Sequence, residues 1–165
     1  MSWALRLLGV GNSQAAATLG SASAVIEHDG APLLMIDCGQ EALSAYVEQY
    51  GKYPDAIFVT HVHMDHVAGL ERLFYKTYFD PQMRGKVRLY VPIGVLPYLH
   101  KRLAEYPGAV AEGGANWWDA FHCIPVTDGF WHRNRHYEVF PVRHHLPDTA
   151  FGLRLRGSVV WTGDT

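Results

Sequence analysis

The chain has 165 residues, of which 48% are hydrophobic, 13% aromatic and 18% charged. This composition supports one domain with a hydrophobic core, and it excludes a disordered chain or a long coiled coil. The formal net charge of -2 predicts no basic surface for nucleic acid or anionic lipid. No apolar run approaches the roughly 20 residues of a membrane helix, and residues 1–9 lack a signal-peptide pattern. We therefore expect a cytoplasmic protein that does not span a membrane.

The first third of the chain contains apolar segments typical of strands and one amphipathic segment. We predict strands at residues 3–10, 24–28, 32–37 and 56–59, and a helix at residues 40–50. Asp29-Gly30 predicts a tight hairpin turn between the second and third strands. Gly51 stands where the C-terminal cap of the helix is expected. Because residues 56–59 are an unbroken apolar run, we expect this strand to be buried on both faces.

The remainder of the chain continues to alternate between the two kinds of segment. We predict helices at residues 67–75 and 95–106, the first of them capped by Asp65. Strands are predicted at residues 86–91, 121–126, 136–142, 151–155 and 158–161. Residues 117–131 are rich in aromatic side chains, for which core packing is favoured over a lid. Alternating strands and helices predict an α/β fold.

Three histidines and one aspartate follow directly after the predicted strand at residues 56–59. Residues 60–66 are Thr-His-Val-His-Met-Asp-His. Alternation along an extended chain places His61 and His63 on the same side, and Asp65 and His66 reach a neighbouring point from the following turn. Imidazole and carboxylate ligands suit zinc, iron or manganese, whereas a structural zinc site is usually rich in cysteine. The segment therefore predicts a catalytic metal site.

Further motifs occur in an order that resembles a known superfamily. Residues 36–39 are Ile-Asp-Cys-Gly, His144 follows a short apolar strand, and residues 161–165 are Trp-Thr-Gly-Asp-Thr. Together with the His-x-His-x-Asp-His segment, they resemble the metallo-β-lactamase fold superfamily. The resemblance implies an α/β domain over residues 1–165, built as an αββα four-layer sandwich. It also implies ligands for two metal ions, namely His61, His63 and His144 for the first, Asp65 and His66 for the second, and Asp164 for both.

The resemblance also implies a hydrolytic mechanism. Two divalent metal ions, zinc in preference to manganese or iron, would hold a bridging hydroxide and stabilise charge on the attacked centre. Asp65 would act as the catalytic residue that orients or deprotonates this nucleophile. Asp37 would hold imidazole tautomers from behind the ligands. His145 competes with His144 for the ligand position, and we favour His144 because it directly follows the predicted strand.

The other five histidines have no ligand-like spacing; they are His28, His100, His122, His132 and His136. Two of them, His132 and His136, flank Arg133 and Arg135. This local charge pattern predicts a solvated turn rather than a part of the metal site.

The segment after His144 indicates a branch of the superfamily. Residues 144–154 are His-His-Leu-Pro-Asp-Thr-Ala-Phe-Gly-Leu-Arg, which resembles ribonuclease Z and related phosphodiesterases rather than the Gly-His-Thr context of glyoxalase II. The resemblance implies a phosphodiester substrate. Because the chain has no inserted basic arm and a net charge of -2, we expect a small phosphodiester, a cyclic nucleotide or a phosphonate-type ester rather than tRNA. A thioester or lactone hydrolase is the alternative.

The position of the Gly-Asp-Thr motif departs from the superfamily pattern. In the superfamily, further strands, helices and a last ligand histidine follow this motif, whereas the sequence ends at Thr165. We therefore interpret the chain as roughly the first two-thirds of a domain, truncated at this motif. It would be a shortened protein, an incomplete gene product, or a half completed by another chain, for which a homodimer is one arrangement. An inactive fragment that binds at most one metal through His61, His63 and His144 is a further alternative.

Overall fold

The computed structural model describes residues 2–105 and 115–165, and its larger sheet has six strands in chain order. These are β1 (Trp3–Gly9), β2 (Ser23–His28), β3 (Ala31–Ile36), β4 (Ala56–Phe58), β5 (Val87–Pro92) and β6 (Phe121–Val126). Strands β1 to β3 are antiparallel, and β3 to β6 are parallel. The carboxyl ends of β3, β4 and β5 therefore meet along one edge, which is where open α/β sheets bind ligands.

The second sheet is antiparallel and has four described strands. They are β7 (Gly129–His132), β8 (Arg135–Pro141), β9 (Phe151–Leu155) and β10 (Val159–Trp161), in the order β10-β9-β8-β7. The Arg156-Gly157 turn joins β9 to β10, and Gly157 adopts the positive φ of 72° that this turn requires.

Strand β7 is the one element of this sheet that was not predicted. Phe130 and His132 are buried and Trp131 between them is 69% exposed, which is a period-two pattern. Arg133 and Asn134 form the turn to β8, with positive φ values typical of a tight hairpin. The prediction of a solvated His132 is wrong, because Nε2 of this ring donates to the Leu33 carbonyl (3.1 Å) and Nδ1 bonds to a tyrosine hydroxyl between the sheets.

Two buried clusters lie on opposite faces of the six-stranded sheet. In β4 and the residue after it, Ile57 and Val59 belong to the cluster shared with the helices. Ala56 and Phe58 belong to the cluster shared with the four-stranded sheet. Strand β4 is therefore buried on both faces, as predicted. Helices, the six-stranded sheet and the four-stranded sheet are stacked in the α-β-β order of the predicted sandwich.

The helices are α1 (Ala16–Leu19), α2 (Gln40–Tyr50), α3 (Met64–Val67), α4 (Gly69–Tyr78) and α5 (Leu96–Leu99), followed by a π-helix (His100–Ala104) and a 3₁₀-helix (Trp117–Ala120). Helix α2 has its predicted bounds. It ends at Gly51, whose φ of 65° lets its amide donate to the Val47 carbonyl at 2.8 Å. Among the described residues, none of these helices is both long and apolar enough to cross a bilayer.

The helix predicted over residues 67–75 is found as α4, but it begins at Gly69, and a separate helix, α3, precedes it and meets it at Ala68. The Gly69 amide donates to the Cys38 carbonyl (2.9 Å), and the His66 carbonyl accepts from the Cys38 amide (2.7 Å). A Cβ on Gly69 would lie 2.4 Å from the Gly39 carbonyl oxygen, so only glycine permits this approach. The junction is thereby bonded to the loop after β3.

Two further details of the helix predictions change. Asp65 lies in the first turn of α3 and its side chain makes no capping hydrogen bond there, so the predicted capping role is wrong. The helix predicted over residues 95–106 is α5 followed by the π-helix, in which the Glu105 amide donates to the His100 carbonyl at 3.0 Å. The last residue of that prediction lies outside the described residues.

Candidate metal centre

The loops after four strands bring the predicted site residues together at one edge of the two sheets. Asp37 follows β3, residues 61–66 follow β4, His144 follows β8, and Asp164 follows β10. Two overlapping groups can each offer nitrogen and oxygen atoms within 4.8 Å of one another. The first group is His61, His63, His144 and Asp164, and the second is Asp37, His61 and His66.

Asp37 is the centre of the hydrogen-bond network behind the site. Its side chain is fully buried, Oδ1 accepts from the Thr60 amide (2.7 Å), and Oδ2 accepts from the Thr60 hydroxyl (2.7 Å) and from His66 Nδ1 (2.8 Å). The backbone of Asp37 has φ of 60°, a left-handed conformation that is uncommon outside glycine. The buried Ser23 hydroxyl bonds to the Asp37 carbonyl (3.0 Å) and helps to hold this conformation.

The network fixes the tautomers of two histidines. His66 donates its Nδ1 proton to Asp37, so Nε2 is the nitrogen left for a ligand. The Thr60 hydroxyl donates to Asp37 and therefore accepts from His61 Nδ1 (2.9 Å), which leaves His61 Nε2 without a proton. Both rings are almost completely buried, so their orientations are held by packing as well as by hydrogen bonds.

Three imidazole nitrogens converge in front of this network. His63 Nδ1 lies 3.1 Å from His61 Nε2 and 3.1 Å from His144 Nε2. His63 can supply at most one proton to these two contacts. Nitrogen ligands at about 2.0–2.1 Å around a tetrahedral zinc ion lie about 3.4 Å apart, which is close to these separations.

The two carboxylates of the site occupy different positions. One oxygen of Asp164 lies 3.5 Å from His66 Nε2, 3.7 Å from His144 Nε2 and 3.9 Å from His61 Nε2. Asp164 thus borders both groups of ligand atoms, although its side chain is 36% exposed. Asp65 Oδ2 lies 3.5 Å from His66 Nε2.

His144 and His145 separate in the structure. His144 Nε2 faces the converging nitrogens, whereas His145 Nδ1 accepts from the Leu146 amide at 2.8 Å. His145 belongs to neither of the two groups of candidate ligand atoms, but it lines a cavity next to His63. The structure thus places His144, and not His145, among the grouped nitrogen and oxygen atoms.

The electrostatics of the centre keep two rings neutral and one charged in the absence of metal. Burial lowers the pKa of His61 to about 4, although the Asp37 carboxylate opposes the shift. Burial and the neighbouring His144 and His145 also lower the pKa of His63. Burial disfavours a charge on His66 too, but Asp37, Asp164 and Asp65 outweigh it and raise its pKa to about 9.

The donor set fits a metal ion on the structural evidence alone. His66 Nε2 is buried and has no hydrogen-bond partner in the described structure, and it points to the Asp65 and Asp164 carboxylates. A buried polar atom without a partner is costly, so such an atom needs an explanation. A divalent cation beside His66 Nε2 would provide one, since neutral imidazole and carboxylate are ordinary ligands for zinc and manganese.

Some functional candidates were not found from the sequence. Thr60 positions both Asp37 and His61, but a threonine at a strand end has no distinctive spacing that would identify it from the sequence. Tyr98, Lys101 and Arg102 line the cavity beside His63. Their spacing of three and four residues is a signal that they share one helical face.

The chain matches the family model of the Anti-Pycsar protein Apyc1 over residues 3–165. It is similar to the Anti-Pycsar protein Apyc1 of Saccharibacillus brassicae, with 33% identity over 165 residues, which covers 97% of this chain and 66% of that protein. The chain therefore spans slightly less than two thirds of the length of this relative.

Solved structures show the same fold at lower identity. The metallo-β-lactamase fold protein YhfI of Bacillus subtilis has a TM-score of 0.71 and 17% identity, covering 98% of this chain and 63% of that one. The short form of human tRNase Z has a TM-score of 0.62 and 18% identity, covering 93% of this chain and 65% of that one. The chain has the metallo-β-lactamase fold and belongs to the family of the Anti-Pycsar protein Apyc1.

Proposed function

We propose that the protein is a metal-dependent hydrolase of small or nucleotide-type phosphodiesters, cyclic nucleotides included. The observation that carries this proposal is the convergence of three imidazole nitrogens next to the Asp164 carboxylate, with the partnerless Nε2 of His66 beside them. Side chains from the loops after β4, β8 and β10 form this cluster beside the carboxyl ends of the parallel strands, where catalytic sites of α/β folds are found.

Two divalent metal ions, zinc in preference to manganese or iron, would occupy the centre. The proposed ligands are His61, His63 and His144 for one ion, Asp65 and His66 for the other, and Asp164 for both. When bound, such a pair lowers the pKa of a water nucleophile and stabilises negative charge on a phosphoryl group. Asp37 and Thr60 hold His66 and His61 with their Nε2 atoms turned into the site, so the ligands are oriented before binding.

Asp65 is the proposed catalytic residue. Its side chain is only 12% exposed and lies at the His66 side of the centre, so its carboxylate is available to orient the attacking water and to accept its proton. The neutral state of His61 and His63 at neutral pH keeps their lone pairs available for ligation.

The substrate class follows from size and charge. The cavity next to His63 has a volume of about 550 Å³, which suits a small molecule rather than a folded RNA. The net charge of -2 provides no basic surface for a polynucleotide. The sequence after His144 favours phosphodiesters over thioesters, and it supports the same choice.

The first experiment measures metal content and hydrolysis together. After reconstitution with zinc or manganese, we expect two metal equivalents per chain by elemental analysis. We also expect turnover of bis(p-nitrophenyl) phosphate or of a cyclic nucleotide, and none of S-lactoylglutathione. Turnover of the thioester alone would support the glyoxalase II type of activity. One equivalent or none, without hydrolysis of any ester, would identify an inactive chain that binds at most one metal ion.

A matched pair of variants tests the ligand assignment. His63→Ala removes a nitrogen from the converging group, so we expect hydrolysis to be abolished and the metal content to fall. His145→Ala changes the adjacent cavity lining and should leave the metal content unchanged. If His145→Ala removes the metal instead, the assignment of His144 over His145 is wrong.

A further inference from the structure

A cavity of about 550 Å³ connects the candidate metal centre to the helical segment after β5. His63 and His145 line it together with Tyr98, Lys101 and Arg102, and two apolar side chains complete the lining. A molecule in this cavity therefore contacts His63, which is one of the proposed metal ligands. None of the three residues from the helical segment has a part in the metal centre described above.

Tyr98, Lys101 and Arg102 share one face of the segment formed by α5 and the π-helix, because they are spaced three and four residues apart. Leu99 and Leu103 are 0% and 5% exposed and belong to the core, so they fix the rotation of this segment. The wider hydrogen-bonded turn of a π-helix is rare and is often found at functional sites.

The charges of the cavity lining have one sign. Lys101 and Arg102 are its charged residues apart from the histidines, in a protein with a net charge of -2. Among residues 2–105 and 115–165, neither Lys101 nor Arg102 forms an ion pair with a carboxylate, whereas Arg6, Lys52, Arg133, Arg154 and Arg156 each do. The Tyr98 side chain is 41% exposed, so a face of its ring is accessible to a ligand.

We propose that Tyr98, Lys101 and Arg102 form a nucleotide-binding subsite for the substrate of the adjacent metal centre, an inference that rests on the proposed function. An aromatic ring provides a stacking surface for a nucleobase. Guanidinium and ammonium groups bind phosphate oxygens through charge-assisted hydrogen bonds. The subsite therefore selects compounds that combine a base with a phosphate group over simple aryl or alkyl phosphodiesters.

The test is calorimetric titration with adenosine 5′-monophosphate, adenosine and inorganic phosphate, on both metal-free and zinc-loaded protein. The nucleotide is a monoester, so its binding is measured without turnover of a phosphodiester. We expect it to bind more tightly than adenosine or phosphate alone. Tyr98→Ala should weaken binding of the nucleotide and of adenosine about 10-fold while leaving phosphate unchanged. Arg102→Ala should weaken binding of the nucleotide and of phosphate about 10-fold while leaving adenosine unchanged.

Two control variants have matched exposure but lie elsewhere. Tyr75 is 42% exposed on α4, and the exposed Lys86 precedes the amino end of β5, opposite to the cavity. We expect Tyr75→Ala and Lys86→Ala to leave nucleotide affinity unchanged within about 2-fold. Arg102 is the primary cation to replace, because Lys101 also borders an apolar groove next to Trp118.

Two results separate the subsite from the proposed function. If Tyr98→Ala and Arg102→Ala change nucleotide affinity no more than the two control variants do, the subsite does not exist. If the loaded protein hydrolyses no phosphodiester, the proposed function fails, whereas titration of the metal-free protein still decides whether the subsite binds a nucleotide.

Discussion

Asp37 and Glu27 are two buried carboxylates of the same six-stranded sheet, and they lie toward opposite ends of it. Asp37 follows β3 at the edge where the histidines meet, and it accepts hydrogen bonds from Thr60 and His66. Glu27 lies near the end of β2, and it accepts from Arg6 (2.6 Å) and from the Tyr50 hydroxyl (2.5 Å). Their burial is similar, at 0% and 3% exposure.

The difference lies in what the hydrogen-bond partners do with their other atoms. Arg6 and Tyr50 stabilise the charge of Glu27, and neither belongs to the candidate metal centre of the described residues, so we assign this network to folding. The imidazole held by Asp37 turns its second nitrogen into the site. A buried carboxylate therefore contributes to ligand orientation only when its partner has a second functional atom, as histidine does.

The largest expected effect is that of Asp37→Ala. The change leaves the His66 imidazole, the Thr60 amide and the Thr60 hydroxyl without their acceptor in a buried place. We expect the free energy of unfolding to fall by about 3–5 kcal/mol and the metal affinity to fall by up to about 100-fold. Urea unfolding and metal titration measure these two quantities.

A control for this variant is Asp55→Ala, which removes an exposed carboxylate paired with Lys52 at 3.2 Å. We expect it to change the free energy of unfolding by less than about 1 kcal/mol and to leave metal affinity unaltered. Equal effects of the two variants would contradict the central role given to Asp37.

The next largest effect is expected for Thr60→Val, which keeps the shape of the side chain and removes its hydroxyl. The hydroxyl bonds to Asp37 and to His61, so its loss leaves an unpaired nitrogen on a buried ring. We expect a loss of about 2 kcal/mol in unfolding free energy and a roughly 10-fold loss in metal affinity. Unchanged metal affinity would show that packing alone orients His61.

Tyr50→Phe is the counterpart at the other carboxylate, because it also removes one hydroxyl from a buried acceptor. Glu27 keeps its bond to Arg6, and Tyr50 is only partly buried, so we expect a loss of about 1 kcal/mol in unfolding free energy. Metal affinity should stay the same. A loss of metal binding in Tyr50→Phe would remove the distinction between the two networks.

The smallest expected effect is the loss, at acidic pH, of the contribution that ionised Glu27 makes to stability. Burial works against the ionised form of Glu27, but hydrogen bonds from Arg6 and Tyr50 outweigh it and lower its pKa below the ordinary value of 4.5. The folded state therefore binds the Glu27 proton more weakly than the unfolded state does, and this contribution to stability is present above pH 4.5 and is lost as the pH falls below it. The difference in free energy of unfolding between the wild type and Glu27→Gln, measured by urea unfolding, should therefore decrease as the pH falls from about 6 to about 3. An advantage that is independent of pH would contradict the ion pair.

Helices, strands and turns whose bounds depend on residues nearby in sequence were predictable. The bounds of α2, the turn at Asp29-Gly30 and the strand at residues 121–126 agree with the structure, because periodicity and turn residues act locally. The break between α3 and α4 was missed since it depends on backbone hydrogen bonds to Cys38, which is about 30 residues away in sequence. His132 was misassigned because its flanking arginines indicate a surface turn, whereas its partners come from β3 and β5.

The sequence by itself determined the superfamily and predicted the ligand types, because the segment from His61 to His66 holds four candidate ligands within six residues. It also placed His144 and Asp164 on the list of ligands, through motifs. Only the tertiary structure decided that His144 Nε2 lies 3.1 Å from His63, 81 residues earlier, and that His66 is the imidazole that Asp37 holds. These distances depend on how two sheets pack and on which strand ends meet, and local patterns along the chain carry no information about either.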